Sequence, residues 1–296
     1  MQLKNSSASG WKILLFVLAL CVLAGFAIHN VAAKAKPQSA VTLAYQFPEG
    51  KTLTYQTTST QTQNLDVMGQ ALSTESNSAI EFTLQPKGLK EGQYQLGVTI
   101  NAFKVEAQSP QGGMTADASS VVGKSFDMIL SRLGKEIDTS GASSIQYNMG
   151  LAGTRDLGAS FQAFFPDLPE KSVKTGDSWP SQDAVTQKSD AGDIHVNFNI
   201  VNTPEGFETV DGFECMRIKG AVTGKMTGNL EQQGMALLFD AKIDGTQTWY
   251  FAVKEGILVK TETKATIGGV ITAGDPANIT IPMTGEMRTE THLIKK

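Results

Sequence analysis

Gln93-Tyr94-Gln95-Leu96-Gly97-Val98-Thr99-Ile100 puts Tyr94, Leu96, Val98 and Ile100 on one side of an extended chain and Gln93, Gln95, Gly97 and Thr99 on the other. A period of two is what a strand with one buried and one wet face produces. The same alternation returns at Val196, Phe198 and Ile200 against His195, Asn197 and Asn199. It returns again at Trp249, Phe251 and Val253 against Thr248, Tyr250 and Ala252. Turn chemistry separates these runs: Pro48-Glu49-Gly50, Pro86-Lys87-Gly88, Lys90-Glu91-Gly92, Pro204-Glu205-Gly206, Asp211-Gly212 and Lys254-Glu255-Gly256 all fit tight reversals. Strands joined by such short turns are antiparallel, because a parallel crossover needs a dozen residues or more.

An internal echo accompanies the meander. Glu81-Phe82-Thr83-Leu84 precedes a Pro/Gly turn, a second Gly turn and Tyr94 to Val105; Asn197-Phe198-Asn199-Ile200 precedes the same succession and Phe213 to Val222. Order and spacing match more than identity does, which is the pattern two fused copies of one meander would leave. Between the copies the period changes. Phe126 to Ser131, a turn around Gly134-Lys135 and Glu136 to Asp138 read as one more hairpin. Ile145 and Met149 are then spaced by four, and Leu157, Phe161, Phe164 and Phe165 recur at helical spacing until Pro166.

The fold expected is mainly β: a curved antiparallel sheet or half-barrel, open to an internal duplication, with one amphipathic helix against it. Residues 41–296 form one β-rich domain, whose alternative division is into halves 41–140 and 172–296 joined by a helical segment 141–171. That length buries a core without staples.

Ahead of this domain, residues 36–40 read as a linker and 1–35 as a targeting segment. Ile13 to Ile28 carries no charged side chain, Lys4 and Lys12 precede it, and Val31-Ala32-Ala33-Lys34-Ala35 supplies small residues. A basic start, an apolar run and an A-x-A-like site describe a secretory signal peptide cut after Ala33 or Ala35. An uncleaved anchor is the rival, but sixteen apolar residues reach about 24 Å against a hydrocarbon core of about 30 Å. In either case the domain is expected outside the cytoplasm, periplasmic or extracellular, with residues 13–28 touching the membrane. Cys21 follows Leu20 inside the apolar run, so it does not form a lipobox.

Net charge is −4, and cleavage after Ala33 would remove Lys4 and Lys12 and leave about −6. A mildly acidic domain without a Lys/Arg cluster gains little from phosphate backbones, so nucleic acid is not an expected partner. Cys215 would stand alone in the mature chain, which leaves no intrachain disulfide, and only His195 and His292 could join it on a metal. No metal and no cofactor is expected.

Catalysis is tested by Gly176-Asp177-Ser178-Trp179, which superficially matches the start of the Gly-Asp-Ser hydrolases. Those need Asp-x-x-His near the C-terminus, whereas Arg288-Thr289-Glu290-Thr291 precedes His292. Without a base in reach the serine is not activated. The favoured reading is a structural turn capped by Asp177, with Trp179 starting a strand. Gly220 to Thr227 fails as a phosphate loop on spacing, Asp190 and Asp193 offer too few oxygens for calcium, and Asn278-Ile279-Thr280 is an N-glycosylation acceptor. The phenylalanine-rich segment offers more. Leu157, Phe161, Phe164 and Phe165 either pack into the core or cover an apolar groove with Phe164 or Phe165 facing a ligand, and a half-barrel with a lid does both.

Leu168-Pro169, a spacer, Val173 and Gly176-Asp177-Ser178-Trp179 resemble a motif of exported bacterial β-rich proteins, some of them lipoproteins. Tyr45-Gln46-Phe47-Pro48-Glu49-Gly50 and Gly212-Phe213-Glu214-Cys215 are similar to that family's opening strand and second-half strand. The resemblance carries no assigned activity; by analogy of pattern it implies a half-barrel of the lipoprotein-carrier kind, cupping an apolar ligand. The expected function is therefore a non-enzymatic exported envelope protein that binds an apolar ligand or lipid between sheet and helix. The alternatives are an envelope module contacting protein partners through sheet edges and, least favoured, a serine hydrolase.

Overall fold

The computed structural model describes residues 39–295 except 111, 151–152, 233 and 276. The apolar segment 13–28, Cys21 and the cleavage positions Ala33 and Ala35 lie outside the described residues.

Among the described residues, fourteen antiparallel strands form one sheet. They are β1 (Leu53–Val67), β2 (Gln70–Lys90), β3 (Gln93–Ser109), β4 (Gly112–Thr115), β5 (Ser125–Ser131), β6 (Glu136–Asp138), β7 (Gln146–Asn148), β8 (Thr154–Asp156), β9 (Trp179–Ser189), β10 (Gly192–Val210), β11 (Phe213–Gln232), β12 (Met235–Ala252), β13 (Ile257–Ala273) and β14 (Ile279–Lys295). The order across the sheet is β6-β5-β3-β2-β1-β14-β13-β12-β11-β10-β9-β8-β7, with β4 appended to β3. The meander thus begins and ends mid-sheet, where β1 pairs with β14 (Thr57 opposite Thr291). The chain runs outward to the edge strand β6, crosses to the opposite edge at β7 and returns.

Local sequence explains the long hairpins. Met68-Gly69, Glu91-Gly92 and Asp211-Gly212 all take positive φ at both positions, the turn whose twist matches that of paired strands. Pro86-Lys87-Gly88 and Pro204-Glu205-Gly206 do not reverse the chain, contrary to expectation. Strands β2 and β10 run straight through them, with register shifts at Pro86/Gly88 and Pro204/Gly206. Proline cannot donate to the ladder and glycine accepts positive φ (Gly88 +117°, Gly206 +144°), so each triplet makes a bulge that bends the strand.

The inner face of this sheet holds two apolar clusters. Leu65 of β1 and Ile194 of β10 share one of them although they are five strands apart in the sheet, so the sheet curls into a half-barrel. The strands with the expected alternation bury it: Leu96, Val98 and Ile100 are inaccessible, and His195, Asn197 and Asn199 face solvent. At β12 the alternation fails, because Thr248, Tyr250 and Ala252 are buried along with Trp249 and Phe251. The N-terminal segment docks here, Gln46 N donating to Gly256 O, and Lys260, Glu262, Arg217 and Glu205 pair over the outer face.

The α-helix in the described chain is α1 (Ser140–Ser143). Leu157 to Phe165 is not the amphipathic helix its spacing suggests but a single 3-10 turn (Gly158–Ser160) followed by irregular chain. Gly158, the small residues after it and Pro166 favour a short turn. The rings also go to different walls, Phe161 to Phe82 and Phe126, Phe165 to Tyr45 and Phe47, which one helical stripe cannot do.

Candidate functional site

Residues 157–168 form a strap across one end of the half-barrel, and hydrogen bonds to several elements fix it. Asp156 Oδ1 accepts from Gly158 N at 2.7 Å, and Gln162 Oε1 accepts from Thr186 N of β9 at 2.6 Å. Phe165 N donates to Glu136 Oε1 of β6 at 2.8 Å, Tyr45 Oη to Pro166 O at 3.1 Å and Leu168 N to Leu133 O at 2.7 Å. Lys135, in the β5–β6 turn, reaches across to β9, with Nζ 3.2 Å from Asp183 Oδ1 and 2.9 Å from Gln182 O, and 3.5 Å from Asp167 Oδ2 of the strap. One side chain therefore bridges two margins of the sheet and the segment that covers the gap between them.

Beneath the strap lies a cavity of about 80 Å³. It is lined by apolar Phe164, Phe165, Val185, Phe198, Ile200, Val222 and Met287 and by polar Asp167, Ser181, Asp183, Asn202, Gln247, Thr261, Thr263 and Thr291, the two kinds interleaved, since Phe198 pairs with Asp183 and Ile200 with Ser181. Trp249 Nε1 donates to Asn202 Oδ1 at 3.2 Å, and Asn202 Nδ2 donates to Ser181 Oγ at 3.0 Å. The Oγ1 atoms of Thr261 and Thr263, residues only 7% and 3% exposed, have no partner. A buried hydroxyl left unpaired costs about 1–3 kcal/mol, so these two are groups that a bound molecule would satisfy.

The polar lining continues a seam along β1. Thr57, Ser59, Gln61 and Gln63 point inward, with Thr57 Oγ1 2.9 Å from Thr291 Oγ1, Thr289 Oγ1 donating to Ser59 Oγ at 2.7 Å and Gln63 Nε2 lying 2.8 Å from Met283 Sδ. Electrostatics near the strap are set by burial. Burial pushes the Glu136 carboxyl up to about 8 and Asp167 up to about 6, the neighbouring Asp183 charge adding to both. Tyr45 is raised by burial and by the neighbouring Tyr55, Glu136, Asp167 and Asp183.

Of the residues singled out in the sequence, Phe164 and Phe165 line the cavity, while Leu157 and Phe161 are sealed in the core behind it. The Phe164 ring meets Tyr55 and Phe82 at 5.4 and 5.0 Å. Gly176 to Trp179 lies apart from the cavity lining. Asp177 Oδ2 accepts from Lys174 N at 3.0 Å, Gly176 N donates to Pro204 O at 3.0 Å, and Trp179 opens β9 with Nε1 donating to Asp167 O at 3.0 Å. Ser178 is exposed. Trp179 pairs with Asn202 and His195 with Thr186, so serine and histidine are at least seven residues apart along the strands, roughly 23 Å at 3.3 Å per residue. His292 is on β14, five strands from β9, near Glu290. Burial raises the Cys215 thiol to about 12, which leaves it protonated and unreactive.

The polar lining was not legible in advance. Asp167 and Asp183 are about eighty residues or more from Thr261 and Thr263 in sequence, and no motif joins the two pairs. Among the described residues no group of three metal-ligating side chains converges, and no helix is long and apolar enough to cross a membrane. No protein-family model matches this chain, and no curated protein is significantly similar to it.

Proposed function

We propose that this chain is a non-enzymatic exported protein of the cell envelope that holds a small amphipathic ligand between the curled sheet and the strap. One observation carries the reading: the strap covers a cavity whose lining combines aromatic and aliphatic side chains with unpaired buried hydroxyls. Binding sites are typically concave, mainly apolar and set with a few polar groups that orient the ligand. The mixed lining favours a molecule with a polar group and a short apolar body over a bare lipid tail, which would leave Thr261 Oγ1, Thr263 Oγ1 and Asp167 Oδ1 unsatisfied. A longer chain would need the strap to move, and its attachments at Glu136, Lys135 and Gln162 are the contacts that would break. Sheet-edge contacts with protein partners are less favoured, since the edge strands β6 and β7 are three residues each and short edges template pairing poorly.

Native mass spectrometry of the protein purified from cell envelopes tests this. The expected spectrum shows a retained small molecule, lost when Val222→Phe fills the cavity. An unliganded mass in every gently handled preparation, with no small molecule in solvent extracts, would remove the reading.

A further inference from the structure

We propose that the cavity selects an alkylammonium, a positively charged nitrogen on a short apolar body, and rejects carboxylates; this rests on the cavity being the ligand site. The observation is an imbalance of charge. Asp167 and Asp183 both line the cavity, and no Lys or Arg is among its lining residues. Lys135 is the cation that meets them, from the exposed rim, and its ammonium is already shared among Asp183 Oδ1, Asp167 Oδ2 and Gln182 O. Asp167 Oδ1 is left buried with no partner.

The rest of the polar lining accommodates an ammonium, and the charge makes the choice. Asn202 has spent its oxygen on Trp249 and one amide hydrogen on Ser181. Thr261 and Thr263 are nine-tenths buried or more, and their unpaired Oγ1 atoms can accept from a ligand donor as well as donate. An ammonium brings three donors and a compensating charge to this lining. A carboxylate brings only acceptors, beside two carboxylates and away from any unshared cation. In the same lining, the Phe164, Phe165 and Phe198 rings suit both an alkyl body and a cation held against aromatic faces. The volume of about 80 Å³ limits that body to a few carbons while the strap is in place.

The test compares butylammonium, butanol and butyrate at pH 7 by titration calorimetry on the full mature protein. Butylammonium is expected to bind at least about tenfold more tightly than butanol, with no saturable binding of butyrate. Asp183→Asn should weaken butylammonium about tenfold and weaken butanol by clearly less, so that the preference for the amine shrinks. Should that variant unfold in a thermal scan, Asp167→Asn carries the same expectation. Butyrate binding as well as butylammonium, or butanol matching it, would overturn the ammonium assignment while leaving the cavity as a ligand site. Binding that persists in Val222→Phe places the amine on the surface and also overturns the assignment. Failure of all three compounds to bind would remove both the assignment and the site.

Discussion

The two ends of the half-barrel solve the same burial problem with different materials. At the strap end, segments outside the main meander fill the sheet's concave face: Leu43, Tyr45 and Phe47 from the N-terminal segment, with Leu157, Phe161 and Phe165 from the strap. Their rings meet edge to face, Tyr45 with Phe165 at 5.3 Å and Phe82 with Phe161 at 5.0 Å. At the other end the cluster is Ile, Val, Leu, Met and Ala with Phe239 as its buried aromatic residue, nearly all of it from strands. There the sheet packs on itself because glycines open room for cross-strand neighbours: Gly224 lies opposite Phe198 and Ile243, and Gly269 beside Ala241. Alternating small and large residues is how a narrow barrel fills its interior. The difference teaches where ligand space can arise. The self-packed end is closed by its own strands, whereas the strap end is closed by a separable segment, and the cavity lies between the two clusters.

Four changes would break or sharpen this contrast. Phe165→Ala removes a ring in contact with Tyr45, Phe47, Tyr55 and Phe164, and should cost about 3–5 kcal/mol in denaturant unfolding. A loss below about 1 kcal/mol would mean that the strap is not part of the core. Next comes pH. Glu136 is neutral in the fold up to about 8 because burial raises it from 4.5, while the unfolded chain ionises it above 4.5. The fold therefore binds the extra proton between those values, and stability falls as pH rises through that window, by at most about 1.4 kcal/mol per unit. Asp167, raised to about 6, adds to the fall at the acid end. Glu136→Gln should flatten the slope; an unchanged slope would place the effect elsewhere.

At the self-packed end, a Cβ at Gly269 would collide with Asp240 O and Ala241. Gly269→Ala should cost about 1–3 kcal/mol without altering ligand retention, because Gly269 does not line the cavity. The smallest change is Thr263→Val, which removes an unpaired buried hydroxyl at nearly constant shape. It should stabilise the unliganded protein by about 1 kcal/mol and weaken ligand binding. Destabilisation with unchanged binding would show that the hydroxyl already has a partner.

Much of the sheet was legible from side-chain pattern. Tyr94 to Ile100 and Val196 to Ile200 alternate apolar with polar, and Phe126 to Asp138 reads as a hairpin and forms β5 and β6. Strand β1 could not be oriented that way: Gln56 to Asn64 is polar on both faces, although Thr57, Ser59, Gln61 and Gln63 are all buried. Its inner face is set by pairing with β14, more than 200 residues away. The Pro-x-Gly triplets misled because proline and glycine serve a bulge as well as a turn, and only the partner strand decides which. For the site, the aromatic half was visible as Phe164 and Phe165. The polar half was not, since a threonine on the inner face of β13 looks like any surface threonine until the sheet curls.

The most direct measurement is a crystal structure of the protein as isolated from its native cells, at a resolution that separates water from a bound molecule. The account predicts continuous density from the Phe164 ring to Thr263 Oγ1 and Asp167 Oδ1, in contact with apolar and polar lining alike. A strap packed onto the same lining around ordered water alone, in protein never exposed to detergent or denaturant, would contradict it.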